Sequence, residues 1–248
     1  MYQMAKAYYD VTYKTYYNDR IKPVQFRGKE SHPLYVQATF DRRTIFFKSY
    51  YFELFRQKKY DSQGPTPAQI EKFEDRVIDY IIARNTDRFS LDLLLYEYKL
   101  YSADVLDTFE KPFLEWLAGC LRGEHLPGLA ATIAQGTEEF LAIQLWDDLK
   151  ASLQPDLVSR IEEKAVRETE PYYLLAAFVR YKYPKGPFCL PCHEWKLEDE
   201  NHYPVTDAAA EEFFDDTLWR ENIRVDILDL IRKVHLMMFR DVGRRYGK

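Results

Sequence analysis

Residues 34–48 read Leu-Tyr-Val-Gln-Ala-Thr-Phe-Asp-Arg-Arg-Thr-Ile-Phe-Phe-Lys, and their period decides the fold of the N-terminal part. Leu34, Val36, Ala38 and Phe40 alternate with Tyr35, Gln37 and Thr39, the two-residue repeat of a strand with one face buried. Asp41-Arg42-Arg43 supplies a tight connection, and Thr44 to Phe52 is rich in the β-branched and aromatic residues that strands favour. Upstream, Val24-Gln25-Phe26-Arg27 leads into the turn-like Gly28-Lys29-Glu30-Ser31-His32-Pro33. Three such runs joined by short turns predict a three-stranded antiparallel sheet. Residues 4–20 suit a helix and a strand alike, because Tyr8, Tyr9, Tyr13, Tyr16 and Tyr17 fit either pattern.

Beyond the sheet the period changes. Lys58 to Pro67 concentrates turn formers, with Asp61-Ser62-Gln63-Gly64-Pro65-Thr66-Pro67 at its centre, and reads as a module boundary. Thr66 is placed to cap a helix and Pro67 to occupy its first turn, after which Ile70, Phe73, Val77 and Ile81 recur at helical spacing. Further helical patterns cover 91–100, 103–122, 137–153, 155–167, 170–181, 207–219 and 221–242. Tyr183 to Thr206, holding Pro184, Gly186, Pro187, Pro191 and Pro204, has no helical period and reads as a hairpin or a functional loop. The expected fold class is α+β, with a β-rich module over 1–61 and a helical domain over 67–248.

Charge divides along the same line. Residues 1–60 carry 12 Lys+Arg against 5 Asp+Glu, a net of +7, and the rest carry 23 against 35, a net of −12. Half of the 20 tyrosines also fall in the first 60 residues. A basic, aromatic segment beside an acidic one points to a polyanionic partner for the first and ordinary solvation for the second. Lys22, Arg27, Lys29, Arg42, Arg43 and Lys48 lie on or beside the expected strands, where they can neutralise phosphates. No apolar run approaches the ~18 residues of a membrane span, and the N-terminus lacks a signal-peptide core. Three cysteines in 248 residues do not make a disulfide scaffold. A cytoplasmic protein without membrane contact is the expectation.

The stretch from Pro33 to Thr44, continued by the aromatic strand through Phe47, resembles the arm-type DNA-binding domain at the N-terminus of tyrosine recombinases of mobile elements. The resemblance covers about 40 residues, near 22–60. It implies a three-stranded sheet that enters the major groove of DNA and a place among mobile-element proteins. The family's catalytic domain uses two Arg, a Lys, a His and a nucleophilic Tyr. Here the tail offers His235, Arg240, Arg244, Arg245 and Tyr246, but His-Leu-Met-Met-Phe-Arg does not match the family's His-x-x-Arg box. DNA binding without recombination is what the match implies.

Cys189-Leu190-Pro191-Cys192-His193 matches the C-x-x-C-H pattern of covalent haem attachment, a modification of exported proteins. Zinc suits the loop better, because two thiolates in a Pro-bent segment can share one ion with His202, or with His193, as a third ligand. The bland alternative is a pair of packed, reduced cysteines. Glu194-Trp195-Lys196 resembles half of a metal-dependent nuclease core but has no acidic partner between Pro171 and His193. Carboxylate pairs such as Glu138-Glu139 and Asp215-Asp216 are adjacent in sequence, so on a helix they diverge by about 100° and read as solvated faces. No Walker loop, G-x-S-x-G or dinucleotide fingerprint is present. The sequence therefore points to a non-enzymatic, nucleic-acid-binding accessory protein, DNA foremost, whose helical domain meets a protein partner or a second copy. Two alternatives stand beside it: a protein adaptor using the aromatic sheet, and a metal-dependent nucleic-acid enzyme using residues 189–202.

Overall fold

Strands form where the sequence alternates, and also where it does not. In a computed structural model describing residues 11–134, 139–195, 230, 232–234 and 236–238, the strands are β1 (Thr12–Tyr17), β2 (Val24–Phe26), β3 (Lys29–Ser31), β4 (Leu34–Phe40) and β5 (Arg43–Lys48). Asp41 and Arg42, with φ of 47° and 62°, close β4 onto β5. Positive φ at both central residues is the type I′ geometry whose twist matches its flanking strands. The antiparallel sheet has the order β1-β4-β5. Its third member is thus β1, not the Val24 run, because β4 has two edges and β1 and β5 occupy both. β2 instead pairs with β3 as a separate ribbon across Arg27 and Gly28. The final strand also ends earlier than expected, at Lys48, where Ser49 caps α1 (Tyr50–Phe55) by accepting from the Phe52 amide at 2.9 Å.

Two compact units divide the chain: Met1–Arg56 with Thr66–Ser102, and Gln57–Pro65 with Ala103–Lys248. This differs from a division into 1–61 and 67–248. In the first unit, α2 (Pro67–Arg84) and α3 (Leu91–Tyr101) pack on the sheet. The helix α2 starts as its sequence predicts, with Pro67 in the first turn and a capping box in which the Thr66 amide donates to Gln69 Oε1 at 2.8 Å. Its buried Ile70, Phe73, Val77, Ile78 and Ile81 share a core with Leu34, Val36 and Ala38 of β4 and Tyr51, Phe52 and Phe55 of α1.

A buried carboxylate ties these elements together. Glu74 of α2 accepts from the Ser49 hydroxyl, from the Tyr51 amide at 3.3 Å and from the Tyr98 hydroxyl of α3 at 2.6 Å. Tyr98 in turn accepts from the Tyr50 amide at 2.8 Å. Burial pushes the Glu74 carboxyl up to about 7, against the pull of its three donors.

The second unit is helical: α4 (Val105–Gly123), α5 (Pro127–Ala134), α6 (Ala142–Ser152), α7 (Pro155–Arg167) and α8 (Pro171–Lys182), with α5, α6 and α8 against α4. The sequence pattern did not predict α5, which is only eight residues long. The expected 207–219 helix lies outside the described residues, and within 221–242 the described residues at 230, 232–234 and 236–238 are helical. Residues 57–65, expected to be a sparsely connected boundary, are held in this unit. Lys59 is buried between Asp107 at 2.8 Å and Glu110 at 2.5 Å, and the Phe188 amide donates to the Gln63 carbonyl at 2.8 Å. Burial alone would lower the Lys59 ammonium, but the two carboxylates outweigh it and hold it above its ordinary value. Among the described residues no helix is long and apolar enough to cross a membrane.

Two outcomes are expected. A fragment starting at residue 67 strips α2 and α3 of the sheet they cover, so it should bind an apolar dye that the full chain does not, whereas a fragment that binds no dye would contradict the shared core. Second, Glu74, Asp104 and Glu170 all sit near 7 through burial. The folded chain then holds protons that the unfolded chain releases at ordinary carboxylate values, so stability falls as pH rises through that window. The melting temperature should be higher at pH 5.5 than at pH 8, and Glu74→Gln should narrow the difference. A melting temperature that rises across this range would exclude the assignment.

Candidate functional site

Alternation along each strand sorts the side chains of the β1-β4-β5 sheet into two faces. The inner face carries Tyr13, Thr15 and Tyr17 of β1, Leu34, Val36 and Ala38 of β4, and Ile45 and Phe47 of β5. It is covered by α2 and α3: Tyr13 donates to Asp79 at 2.7 Å, and the Phe47 and Tyr98 rings lie 4.7 Å apart. A row of carboxylates on α2, Glu71, Asp75 and Asp79, runs alongside β1. Burial raises the Tyr17 phenol to about 12, with the Glu71 charge adding to it. Asp75 is also raised, by burial and then by Asp79 and Glu71.

The outer face carries residues that are half-buried or exposed. Its nine side chains form three cross-strand rows: Thr12–Thr39–Thr44, Lys14–Gln37–Phe46 and Tyr16–Tyr35–Lys48. None is acidic. Phe46 is 59% exposed, a large apolar side chain left in solvent on a small sheet. Lys14 and Lys48 stand on opposite edge strands, with Lys14 5.4 Å from the Tyr16 ring centroid. Tyr16 and Tyr35 pack with centroids 6.4 Å apart, and the Thr39 and Thr44 hydroxyls are 2.9 Å apart. Two cations, three rings and hydrogen-bonding groups on one surface can meet an anionic ligand with flat or apolar features.

Of the basic residues singled out from sequence, only Lys48 projects from this face. Arg42 and Arg43 are exposed at the β4–β5 hairpin end. Lys22, Arg27 and Lys29 belong to the β2–β3 ribbon and its approach, beyond the end where Tyr17 pairs with Leu34. The length of β4, roughly 20 Å at ~3.4 Å per residue, separates these two groups. Lys14, Tyr16, Tyr35, Gln37 and Phe46 were not picked out by the sequence. Those on β4 and β5 were accessible through strand period alone. Those on β1 were not, because its inner Tyr13 and Tyr17 are as polar at their tips as its outer residues and leave no apolar alternation to read.

After α8 the chain is exposed at Pro184, Lys185 and Gly186 and then, from Phe188 to Trp195, runs as a buried strap. Phe188, Cys189, Leu190, Cys192, His193 and Trp195 are all buried. Asp104, the cap of α4, accepts from the Asp107 amide at 2.9 Å and from the Leu190 amide at 2.7 Å. The Val105 amide donates to the Leu190 carbonyl and the Cys192 amide to the Ala103 carbonyl, each at 2.8 Å. Cys189 and Cys192 are not disulfide-bonded, and burial, aided by the Asp104 charge, pushes the Cys192 thiol far above its ordinary value. His202, the expected third zinc ligand, and Lys196 of the nuclease-like triplet lie outside the described residues. Among the described residues no three His, Cys, Asp or Glu side chains are grouped to hold a metal ion.

No family model, curated protein or solved structure matches the chain. The buried strap predicts that thiol labelling of the native protein at pH 8 proceeds far more slowly at Cys192 than labelling in denaturant. Equal rates would show that residues 187–195 open freely.

Proposed function

We propose that this chain binds double-stranded DNA through the open face of the β1-β4-β5 sheet. One observation carries the reading: with its other face sealed by α2 and α3, the sheet presents Lys14 and Lys48 on opposite edges and no carboxylate between them. The outer strands are two spacings apart, roughly 10 Å at ~4.8 Å each, and a major groove about 12 Å wide accepts a body of that width with its rims against the two phosphate backbones. Lys14 and Lys48 are the rim contacts. Arg42 and Arg43 at one end of β4, and Lys22 and Lys29 at the other, extend the cationic track along the strand direction. The arm-type resemblance of residues 33–47 implies the same mode of docking.

An apolar protein partner seated on Phe46 is the competing occupant, and ionic strength separates the two. Phosphate neutralisation gives an affinity that falls log-linearly with salt, by about 0.9 per contact, whereas burial of an aromatic patch responds little. For Lys14→Ala with Lys48→Ala, binding to mixed-sequence duplex should weaken uniformly and the salt slope should fall by about two contacts' worth. The Arg42→Ala, Arg43→Ala double variant should lower the slope in the same way. Unchanged affinity in both variants, or tighter binding to single strands than to duplex, would overturn the proposal.

A further inference from the structure

Among the nine open-face side chains, Gln37 is alone in carrying a donor and an acceptor on one rigid plane. It lies near the middle of the central strand, fourth of seven residues in β4, flanked in its row by Lys14 on β1 and Phe46 on β5. A body that enters a groove with its edge lysines on the phosphates carries its central strand deepest, against the base edges. We infer that Gln37 reads an adenine there, donating to N7 and accepting from the N6 amino group, while the exposed Phe46 ring rests on a neighbouring thymine methyl. This inference rests on the duplex-binding reading above and adds to it a sequence preference with a named reader.

The chemistry of the neighbours supports the division of labour. Lys14 and Lys48 have only donors, suited to phosphate and to guanine but not to the paired donor and acceptor of adenine. Threonine and tyrosine hydroxyls present one polar atom each, and the Thr39 and Thr44 hydroxyls already face one another at 2.9 Å. A single-atom contact discriminates poorly between bases, whereas the amide plane matches one base edge. Phe46, at 59% exposure, has no polar atom and can contribute only an apolar contact.

The test is a binding selection by the full chain from a randomised-sequence duplex library, followed by affinity measurements on the selected site and on variants of each position. The expected site contains one A·T pair whose replacement weakens binding roughly tenfold to a hundredfold. With Gln37→Ala that preference should disappear while the salt slope stays as in the parent chain, since no phosphate contact is lost. Gln37→Glu, nearly identical in shape, should move the preference at the same position towards C·G, because a carboxylate accepts from the cytosine amino group. Melting curves are to check that both variants fold, and the Glu variant reads the position even if the Ala variant does not. A selected site without a required A·T pair, or a Gln37→Ala chain with its preference intact, overturns this inference and leaves duplex binding standing. No enrichment of any duplex overturns both.

Discussion

The first unit depends on a carboxylate that has no water to solvate it. Glu74 is fully buried, and its two oxygens are satisfied by Ser49, Tyr51 and Tyr98. These donors lie at the exit of β5, in α1 and in α3 respectively. Apolar packing alone tolerates small slips between such elements, since it is non-directional. A buried acceptor does not, because every donor that loses it is stranded at a cost of about 1–3 kcal/mol. Glu74 thereby sets where α1 leaves the sheet and how α2 and α3 lie beneath it. Which strand residues face the helices and which face solvent follows from that placement.

Charge is sorted by the same arrangement. Residues 1–60 carry a surplus of seven positive charges, yet they are not a unit by themselves. Residues 1–56 share a unit with α2 and α3 that holds 15 Lys+Arg against 12 Asp+Glu, and residues 57–60 belong to the other unit. What distinguishes its open face is separation rather than sum: Glu71, Asp75 and Asp79 lie on the covered side of β1, where Tyr13 hydrogen-bonds to Asp79, and Lys14 and Lys48 lie on the other. The acidic row thereby lies on the far side of the sheet from the lysines, which remain exposed to whatever approaches the open face.

The second unit uses buried charge for a different purpose, the anchoring of irregular chain. Lys59 fixes residues 57–65 on α4 through Asp107 and Glu110, and the second oxygen of Glu110 accepts from the Ala142 amide at 2.8 Å. Asp104 fixes the strap after α8 through Leu190. Both irregular segments would otherwise carry unsatisfied backbone groups into a protein interior. Asp104 supplies such a partner to the Leu190 amide, whereas over 57–65 the carboxylates of α4 pair with the Lys59 ammonium and the backbone bonds locally and to the Phe188 amide.

The sequence by itself determined β4 and its hairpin to β5, because a two-residue apolar repeat and a tight turn are local properties, and it determined α2 because Thr66, Pro67 and Gln69 form a cap within four residues. The helices at 91–101, 105–123, 155–167 and 171–182 were legible for the same reason. Only the tertiary structure decided that β1 completes the sheet, since Tyr13 and Tyr17 are half-buried against carboxylates about 60 residues away on α2 and show no local alternation. It likewise decided that residues 57–65 belong with α4: their turn formers are local, but the buried Lys59 finds its partners 48 and 51 positions further on. The open face combines both, for strand period assigns Tyr35, Gln37 and Phe46 to one side, and only the long-range pairing with β1 sets Lys14 and Tyr16 beside them.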